Sequence, residues 1–303
     1  MARHRTHVGF PGATAAAARQ GFARQLRLLP RWANVLPLDT ALADLTAGRP
    51  LPPRAVALTF DDGYLDNATV AAPMLRHAGL PATFFLVPEF LGGKSRPWWE
   101  ELGWALAHAT APELHWQGVR YDTSTTSGRH RALDAIAPQL KVDNSAIRKA
   151  AVDELTGLLA PEGPLVSSDF MDWDDAHALL RAGFDIGSHT CSHPILSRER
   201  AETQRRELID SRQGLQTELG CPVDTVTFPN GRAEDYSQTT LELVREAGYA
   251  YALTTRTALV DPDVPPHEIG RLVITPETNV RTLMLEAART LKRRAVARRI
   301  SGD

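Results

Sequence analysis

The fold is indicated most clearly by residues 54–64, which read RAVALTFDDGY. Residues 54–60 form a short apolar and partly β-branched stretch, which predicts a buried strand. Asp61 and Asp62 stand where this strand ends, and Gly63 permits the backbone to turn. The pair can be an Asx-type turn that closes the strand. It can also be functional, since two adjacent carboxylates repel each other unless a cation or a proton intervenes.

A second informative segment, residues 188–194, reads SHTCSHP and carries His189 and His193 four positions apart. Residues 184–188 predict a short strand, and Pro194 prevents a helix from running through without a break. The histidines are therefore predicted in a loop or a single turn at the end of a strand. Histidines at this spacing can simply pack or form hydrogen bonds, or they can share one face and bind a metal ion.

Together the two segments offer the side chains of a metal-dependent hydrolase. Two imidazoles and one carboxylate can hold a divalent ion and leave a position open for water. The second carboxylate is then free to act as a base on that water. The zincin motif is excluded, because Thr190 stands where that motif requires Glu.

These motifs resemble those of the polysaccharide deacetylases of the NodB-homology type, carbohydrate esterase family 4. Further matching stretches are LPATFFL at 80–86, GFDIGSH at 183–189, TFPNG at 227–231 and AGYAYA at 247–252. The resemblance runs from about residue 22 to about residue 274. It implies an α/β fold, an irregular (β/α) barrel of about seven strands, whose site lies at the carboxyl ends of the strands.

The resemblance also implies roles for the charged residues of the two main motifs. Asp62, His189 and His193 would bind the metal, most commonly Zn²⁺, with Co²⁺ or Ni²⁺ as alternatives. Asp61 would be the catalytic base.

The resemblance places three further residues at the substrate or at the charge that develops on it: Tyr64, Pro229 and Asn230. The backbone N–H of Asn230, which follows Pro229 in the third motif, would stabilise an oxyanion. Gly231 suits a backbone that must approach the substrate closely. Tyr64 follows the carboxylates directly and would lie at the mouth of the site.

Two residues that many members of the family carry are missing here. Residues 270–275 contain no histidine, although those members have their general acid there, and Thr227 replaces an arginine that often steadies the base. We therefore predict that Asp61 acts first as the base and then as the acid, oriented by Arg271. His267 is an alternative acid, although the two prolines before it favour a loop.

Strand-like and helix-like segments alternate along the chain, which predicts a parallel sheet in a single domain over residues 1–303. Further strands are predicted over 83–87, 224–228 and 249–254, and helices over 66–78, 167–182, 198–219 and 236–247. Residues 88–168 interrupt the alternation and predict a partly helical insertion. Trp98, Trp99 and Trp173 are candidates to line a sugar-binding groove, with core packing as the alternative for each.

Composition is that of an ordinary soluble enzyme. The chain has 303 residues, of which 43% are hydrophobic, enough for one large core. A net charge of −2 argues against a nucleic-acid-binding protein. Residues 281–303 are rich in arginine and predict a basic helix, for which we favour a solvated surface over contact with a membrane surface.

The remaining expectations concern location and substrate. The two cysteines are interpreted as free thiols, and residues 1–8 lack the apolar core of a secretory signal, so a cytoplasmic location is expected. The expected substrate is an acetylated GlcNAc-type glycan or sugar precursor, and a cytoplasmic location would favour a small or lipid-linked precursor. Alternatives are an O-acetyl esterase, a hydrolase of non-sugar amides, and a non-catalytic glycan-binding relative.

Overall fold

The structure, a computed structural model, describes residues 15–164, 170–260 and 264–275, together with residues 278, 279, 281, 282, 285 and 287. The helices in this part are α1 (Ala15–Trp32), α2 (Leu38–Thr46), α3 (Ala72–Ala78), α4 (Trp98–Ala107), α5 (Thr126–Leu140), α6 (Ser145–Leu159), α7 (Trp173–Arg181), α8 (Ala201–Leu219) and α9 (Gln238–Glu246). The strands are β1 (Asn34–Val35), β2 (Ala55–Val56), β3 (Thr59–Phe60), β4 (Thr83–Leu86), β5 (Glu113–Trp116), β6 (Val119–Asp122), β7 (Asp185–Ser188), β8 (Thr225–Thr227) and β9 (Tyr251–Leu253).

A curled parallel sheet of five strands, in the order β3-β4-β7-β8-β9, forms the centre of the fold. β1 and β2 make a separate parallel pair. A parallel bridge from Leu253 to Ile269 extends the sheet beyond β9. The predicted α/β fold of the NodB-type (β/α) barrel is confirmed, and the five strands and the pair together supply seven parallel strands in the described part of the chain.

The single strand predicted over residues 54–60 is wrong, because this segment forms two strands with different partners. β2 pairs with β1, whereas β3 pairs with β4, with Thr59 opposite Thr83. The carbonyl of Leu58, between the two strands, accepts a hydrogen bond from the N–H of Thr83. Both halves of the segment are apolar, so the sequence pattern carries no sign that their partners differ.

The central strand β4 is buried on both faces. Phe84 packs into the larger core, between the sheet and the helices α3, α7, α8 and α9, whereas Phe85 packs into a smaller core with residues of α2 and β9. Neither side chain is exposed to solvent. Burial on both faces explains why β4 reads as a continuous apolar run, as is usual for parallel sheets.

The other predicted strands agree with the structure to within two residues at each end, and two of the predicted helices to within three. The helix predicted over 66–78 begins instead with a π-helical turn, Asn67–Ala71, and continues as α3 up to Gly79, whose φ is 65°. The helix predicted over 167–182 begins only at Trp173, after an Asp172 cap, and residues 167–169 lie outside the described residues.

Residues 88–164 contain α4, α5, α6 and the antiparallel hairpin of β5 and β6. Helices α4 and α6 pack against each other over a separate cluster of buried side chains, which includes Leu102, Leu106, Ile136, Val152 and Leu155. This stretch is the one predicted as an insertion, and its last residues, 165–168, lie outside the described part.

The basic helix predicted over 281–303 also lies outside the described residues, except for residues 281, 282, 285 and 287. Among the helices that the structure describes, none combines the length and the apolar character that crossing a membrane requires.

Candidate metal and catalytic site

The two carboxylates follow β3 directly, at the carboxyl end of the sheet. Asp62 has a φ of 77° and Gly63 a φ of 78°, so two successive residues adopt the left-handed conformation. Aspartate is one of the few residues with a side chain that enter this region readily. The turn separates the two carboxylates, and Asn67 supports it through a hydrogen bond from its side-chain amide to the carbonyl of Asp61.

The histidines lie in a tight loop after β7, as predicted, and not on a helix. Thr190 has a φ of 65° and His193 a φ of 63°. The N–H of His193 donates to Oγ1 of Thr190 at 3.1 Å, which closes the loop. Non-glycine residues in this region cost about 1–3 kcal/mol each and persist where the surrounding structure holds them.

The structure brings one carboxylate and both imidazoles together. Oδ1 of Asp62 lies 3.3 Å from Nε2 of His189 and 3.3 Å from Nε2 of His193. Both Oδ1 of Asp62 and Nε2 of His189 are buried without a hydrogen-bond partner among the described residues. Two ligand atoms of a tetrahedral Zn²⁺ site, each about 2.0–2.1 Å from the ion, are separated by about 3.4 Å. Both distances from Asp62 match this separation, and all three ligand atoms lie within 4.8 Å of one another, so the cluster is a candidate site for a divalent ion.

Thr227 orients the His189 ring. Nδ1 of His189 lies 2.8 Å from the carbonyl oxygen of Thr227, and Oγ1 of the same threonine also contacts Nδ1. A carbonyl can only accept, so Nδ1 carries the proton, and the lone pair of Nε2 is available to bind a metal ion. Thr227 thus steadies a candidate metal ligand rather than the base, a role that no sequence motif indicates.

Asp61 is paired with Arg271, the contact predicted from the sequence. The guanidinium donates two hydrogen bonds, from Nη1 to Oδ1 and from Nη2 to Oδ2, both at 2.8 Å. A third donor, Nε of Arg271, reaches the carbonyl of Thr254 at 3.1 Å and fixes the arginine itself. Oδ2 of Asp61 lies 4.0 Å from Nε2 of His189, so this ion pair borders the three-residue cluster.

The ion pair keeps the Asp61 carboxylate charged although the side chain is buried. Burial is the largest influence on its pKa and acts to raise it. The charge of Arg271 and its hydrogen bonds to the carboxylate act in the opposite direction and leave the pKa below its ordinary value. Asp61 is therefore ionised, and able to accept a proton, at neutral pH.

An aromatic wall covers one side of the cluster. Oη of Tyr64 donates to Oε1 of Glu100 at 2.7 Å and accepts from Nε1 of Trp99 at 2.9 Å. The Trp99 ring lies 4.7 Å from the His193 ring, and Phe170 stacks on Tyr64 at 4.5 Å. Burial and the nearby Glu100 raise the pKa of Tyr64 well above its ordinary value, so the phenol stays protonated.

Of the three tryptophans considered as groove residues, Trp99 contacts a candidate metal ligand. Trp98 packs against the cluster of residues 88–164, with the Arg148 guanidinium 5.6 Å from its ring centroid. Trp173 packs against the main core. Trp98 and Trp173 therefore pack against buried clusters, which was the alternative considered for them.

The third motif forms a left-handed turn after β8. Asn230 has a φ of 57° and Gly231 a φ of 70°. A Cβ atom at position 231 would lie 2.9 Å from the backbone nitrogen of Thr255 and 3.0 Å from the carbonyl oxygen of Phe228, so glycine is required there. Pro229 is buried beneath the turn. Among the described residues, no group accepts a hydrogen bond from the N–H of Asn230, which follows β8, the neighbour of β7 in the sheet.

His267, the alternative acid, lies away from this site. Its Nε2 contacts the carbonyl of Tyr249 at 3.0 Å. Tyr249 precedes β9, so this contact is at the amino end of the sheet, opposite the end where Asp61 and His189 lie. The alternative of His267 as the acid is therefore wrong. The sequence between β9 and Arg271 does not show where the chain turns back, so the position of His267 could not be read from it.

Glu207 of α8 holds the loop between the two histidines, a role that was not predicted from the sequence. Its Oε2 accepts from the backbone N–H groups of Cys191 and Ser192 at 2.9 and 2.8 Å, and its Oε1 accepts from Oγ of Ser192 at 2.6 Å. An acidic residue such as Glu207 on a long polar helix has no sequence signal that distinguishes it from its neighbours.

Cys191 and Cys221 are free thiols, as predicted.

We expect Glu207→Ala to weaken metal binding by about tenfold, because partners that orient the ligands commonly contribute 10–100-fold to metal affinity. Competition with a chromogenic zinc chelator measures this affinity. Glu218→Ala, an exposed position on the same helix, is the matched control and should bind as the wild type does. Equal affinities in the two variants would show that the loop keeps its geometry without Glu207.

Comparison with known proteins gives the same assignment as the motifs. A sequence model of the polysaccharide deacetylase family matches residues 48–252, about two thirds of the chain. The protein YxkH of Bacillus subtilis (strain 168), named for the same family, is 28% identical over 111 residues, which cover 37% of this chain. The matched segment spans only 36% of YxkH.

Solved structures share the fold at low sequence identity. The deacetylase PplD of Streptococcus pyogenes, solved in complex with acetate, has a TM-score of 0.60 and 17% identity, and the alignment covers 88% of this chain and 85% of PplD. IcaB from Ammonifex degensii has a TM-score of 0.56 and 19% identity, with 88% of each chain covered. From the family match over residues 48–252 and the motifs that it contains, the chain belongs to the polysaccharide deacetylase family.

Proposed function

We propose that the chain is a metal-dependent deacetylase that removes N-acetyl groups from GlcNAc-type glycans or glycan precursors. The observation that supports this most is one arrangement at the carboxyl end of the sheet. An ionised carboxylate, Asp61, borders the cluster of Asp62, His189 and His193, whose ligand atoms all lie within 4.8 Å of one another. A base beside a three-ligand set is the arrangement that hydrolysis by an activated water requires.

The residues that would hold the ion are Asp62, His189 and His193. When bound there, a divalent ion, most commonly Zn²⁺ with Co²⁺ or Ni²⁺ as alternatives, supplies a Lewis acid and lowers the pKa of water towards about 7. The chain contributes the geometry: Thr227 fixes the tautomer of His189, and the left-handed turn at Asp62 directs its carboxylate towards both imidazoles.

Asp61 carries the proton through both halves of the reaction. Its carboxylate accepts a proton from the attacking water as the new C–O bond forms to the acetyl carbon. The carbonyl oxygen then bears negative charge, which the N–H of Asn230 stabilises. When the C–N bond breaks, the carboxyl group of Asp61 returns the proton to the departing amine, which leaves a free amino sugar and acetic acid, and the acid releases its proton to water as acetate. Arg271 keeps the carboxylate in one orientation during both transfers.

This assignment accounts for the general-acid histidine that is missing from residues 270–275. Arg271 comes from the same stretch and contacts the base directly, so one carboxylate has the support that it needs to serve as base and acid. The aromatic wall of Tyr64 and Trp99 offers ring surface beside His193, which suits a sugar ring.

Acetate release from chitooligosaccharides tests the proposal, measured before and after treatment with EDTA and after addition of Zn²⁺. We expect release that EDTA abolishes and Zn²⁺ restores. Sugar binding without release would point instead to a glycan-binding relative. Release only from O-acetylated xylan or from non-sugar amides would keep the chemistry and replace the substrate.

A further inference from the structure

The turn that presents the Asn230 N–H is held from two sides, and only one of them belongs to the barrel. On the barrel side, Oγ1 of Thr255 donates to the carbonyl of Asn230, and the N–H of Thr255 donates to the carbonyl of Gly231 at 2.8 Å. On the other side, Nζ of Lys141 donates to Oδ1 of Asn230 at 2.8 Å. An ammonium group can only donate, so this contact also fixes which end of the Asn230 amide faces Lys141.

Lys141 reaches Asn230 from the stretch that the sequence predicted as an insertion, 89 residues earlier in the chain. It caps the carboxyl end of α5, at the turn that leads into α6. The buried Arg148 holds this turn, with hydrogen bonds from Nε to the carbonyl of Leu140 at 2.9 Å and from Nη2 to the carbonyl of Asp143 at 2.7 Å. The ammonium group therefore extends from a backbone that is fixed.

The same turn is tied to the barrel next to the histidine loop. The N–H of Ser145, the first residue of α6, donates to Oε1 of Glu199 at 2.6 Å. Glu199 follows the short 3₁₀ turn Leu196–Arg198, six residues beyond His193. The position of Lys141 over the third motif is thus set by contacts at both ends of the α5–α6 connection.

We infer that Lys141 is a positioning residue for deacetylation: its ammonium group fixes the side chain of Asn230, so that the N–H of Asn230 faces the carbonyl oxygen of the acetyl group. The inference rests on the proposed function. It gives the helical stretch of residues 88–164 a part in the reaction, because this stretch adds a contact to a turn that Thr255 holds from the barrel side.

The test compares Lys141→Met and Lys141→Arg with the wild type in acetate release from chitooligosaccharides. Loss of one oxyanion donor commonly lowers kcat by 10²–10³-fold, and a displaced donor should cost less, about tenfold. We expect Lys141→Met to lower kcat by about tenfold with KM and metal content nearly unchanged, because the contact acts in the transition state. Lys141→Arg, which keeps a donor and a positive charge, should retain more activity. Lys149→Met, an exposed lysine of α6 paired with Asp153, should match the wild type.

A double-mutant cycle with Asn230→Gly separates positioning from a general structural effect. Glycine keeps the left-handed backbone and removes the side chain that Lys141 contacts. We expect Lys141→Met to have almost no further effect on kcat in the Asn230→Gly background. An active wild type together with an unaffected Lys141→Met would overturn this inference alone, as would a change confined to KM or effects that multiply in the double variant. A wild type without deacetylase activity would overturn the proposed function and the inference with it.

Discussion

Asp61→Asn is expected to lower kcat for acetate release by about 10⁴-fold, the upper end of the usual contribution of general acid–base catalysis, because one carboxylate serves both transfers. Asparagine has nearly the same shape as aspartate but cannot accept the proton of the attacking water at neutral pH. The three residues of the proposed metal site remain, so the metal content should equal that of the wild type. Rapid-mix assays of acetate release and elemental analysis of the same sample provide the two measurements.

Asp174→Asn is the matched control for this change, since it makes the same substitution at an exposed position in the first turn of α7. Its kcat should equal that of the wild type. If Asp61→Asn retained its metal and lost less than about tenfold in kcat, another group would have to be the base.

Arg271→Met is expected to affect both activity and stability. The Asp61 side chain has no exposed surface and that of Arg271 is 8% exposed, so this change leaves a buried carboxylate without its partner. Breaking a buried ion pair in this way lowers the free energy of unfolding by about 3 kcal/mol or more. Because a base displaced by about 1 Å can cost about 100-fold in rate, kcat/KM should fall by about that factor. Urea denaturation and steady-state kinetics check the two effects.

Two comparisons interpret the Arg271→Met result. Arg271→Lys keeps the charge but loses the two parallel hydrogen bonds, so it should fall between the wild type and Arg271→Met. Arg205→Met removes an exposed arginine that pairs with Glu246, and it should change the free energy of unfolding by less than about 1 kcal/mol. An unchanged kcat/KM in Arg271→Met would show that Arg271 does not orient Asp61 for the reaction.

The sequence was most informative where carboxylate or imidazole side chains follow the end of a predicted strand. Asp61 and Asp62 stand at the end of one predicted strand and His189 at the end of another, and parallel strands bring their carboxyl ends to one edge of a sheet. The convergence of Asp62 with both histidines followed from that rule and from the family motifs. The pairing of Arg271 with Asp61 was predicted because Thr227 replaces the arginine that often steadies the base in this family. A buried carboxylate that lacks that arginine needs another partner.

The features that the sequence did not show depend on contacts between distant segments. Whether residues 54–60 make one strand or two depends on β1 and β4, which carry the actual partners. Glu207 and Lys141 are ordinary charged residues of helices until the fold places them beside the histidine loop and the third motif. In the sequence, Thr227 is notable only because it replaces the arginine of many family members. In the structure, its carbonyl sets the tautomer of His189.

Measurement of bound metal is the decisive test of the site formed by Asp62, His189 and His193. After expression in metal-supplemented medium and removal of loosely bound ions, elemental analysis of the wild type should find about one divalent ion per chain, as expected of a three-ligand site with an open position. Asp62→Ala, which removes the carboxylate that lies 3.3 Å from both imidazoles, should retain almost none. A wild type that binds no divalent ion, or an Asp62→Ala variant that binds as much as the wild type, would contradict the assignment of Asp62, His189 and His193 as metal ligands.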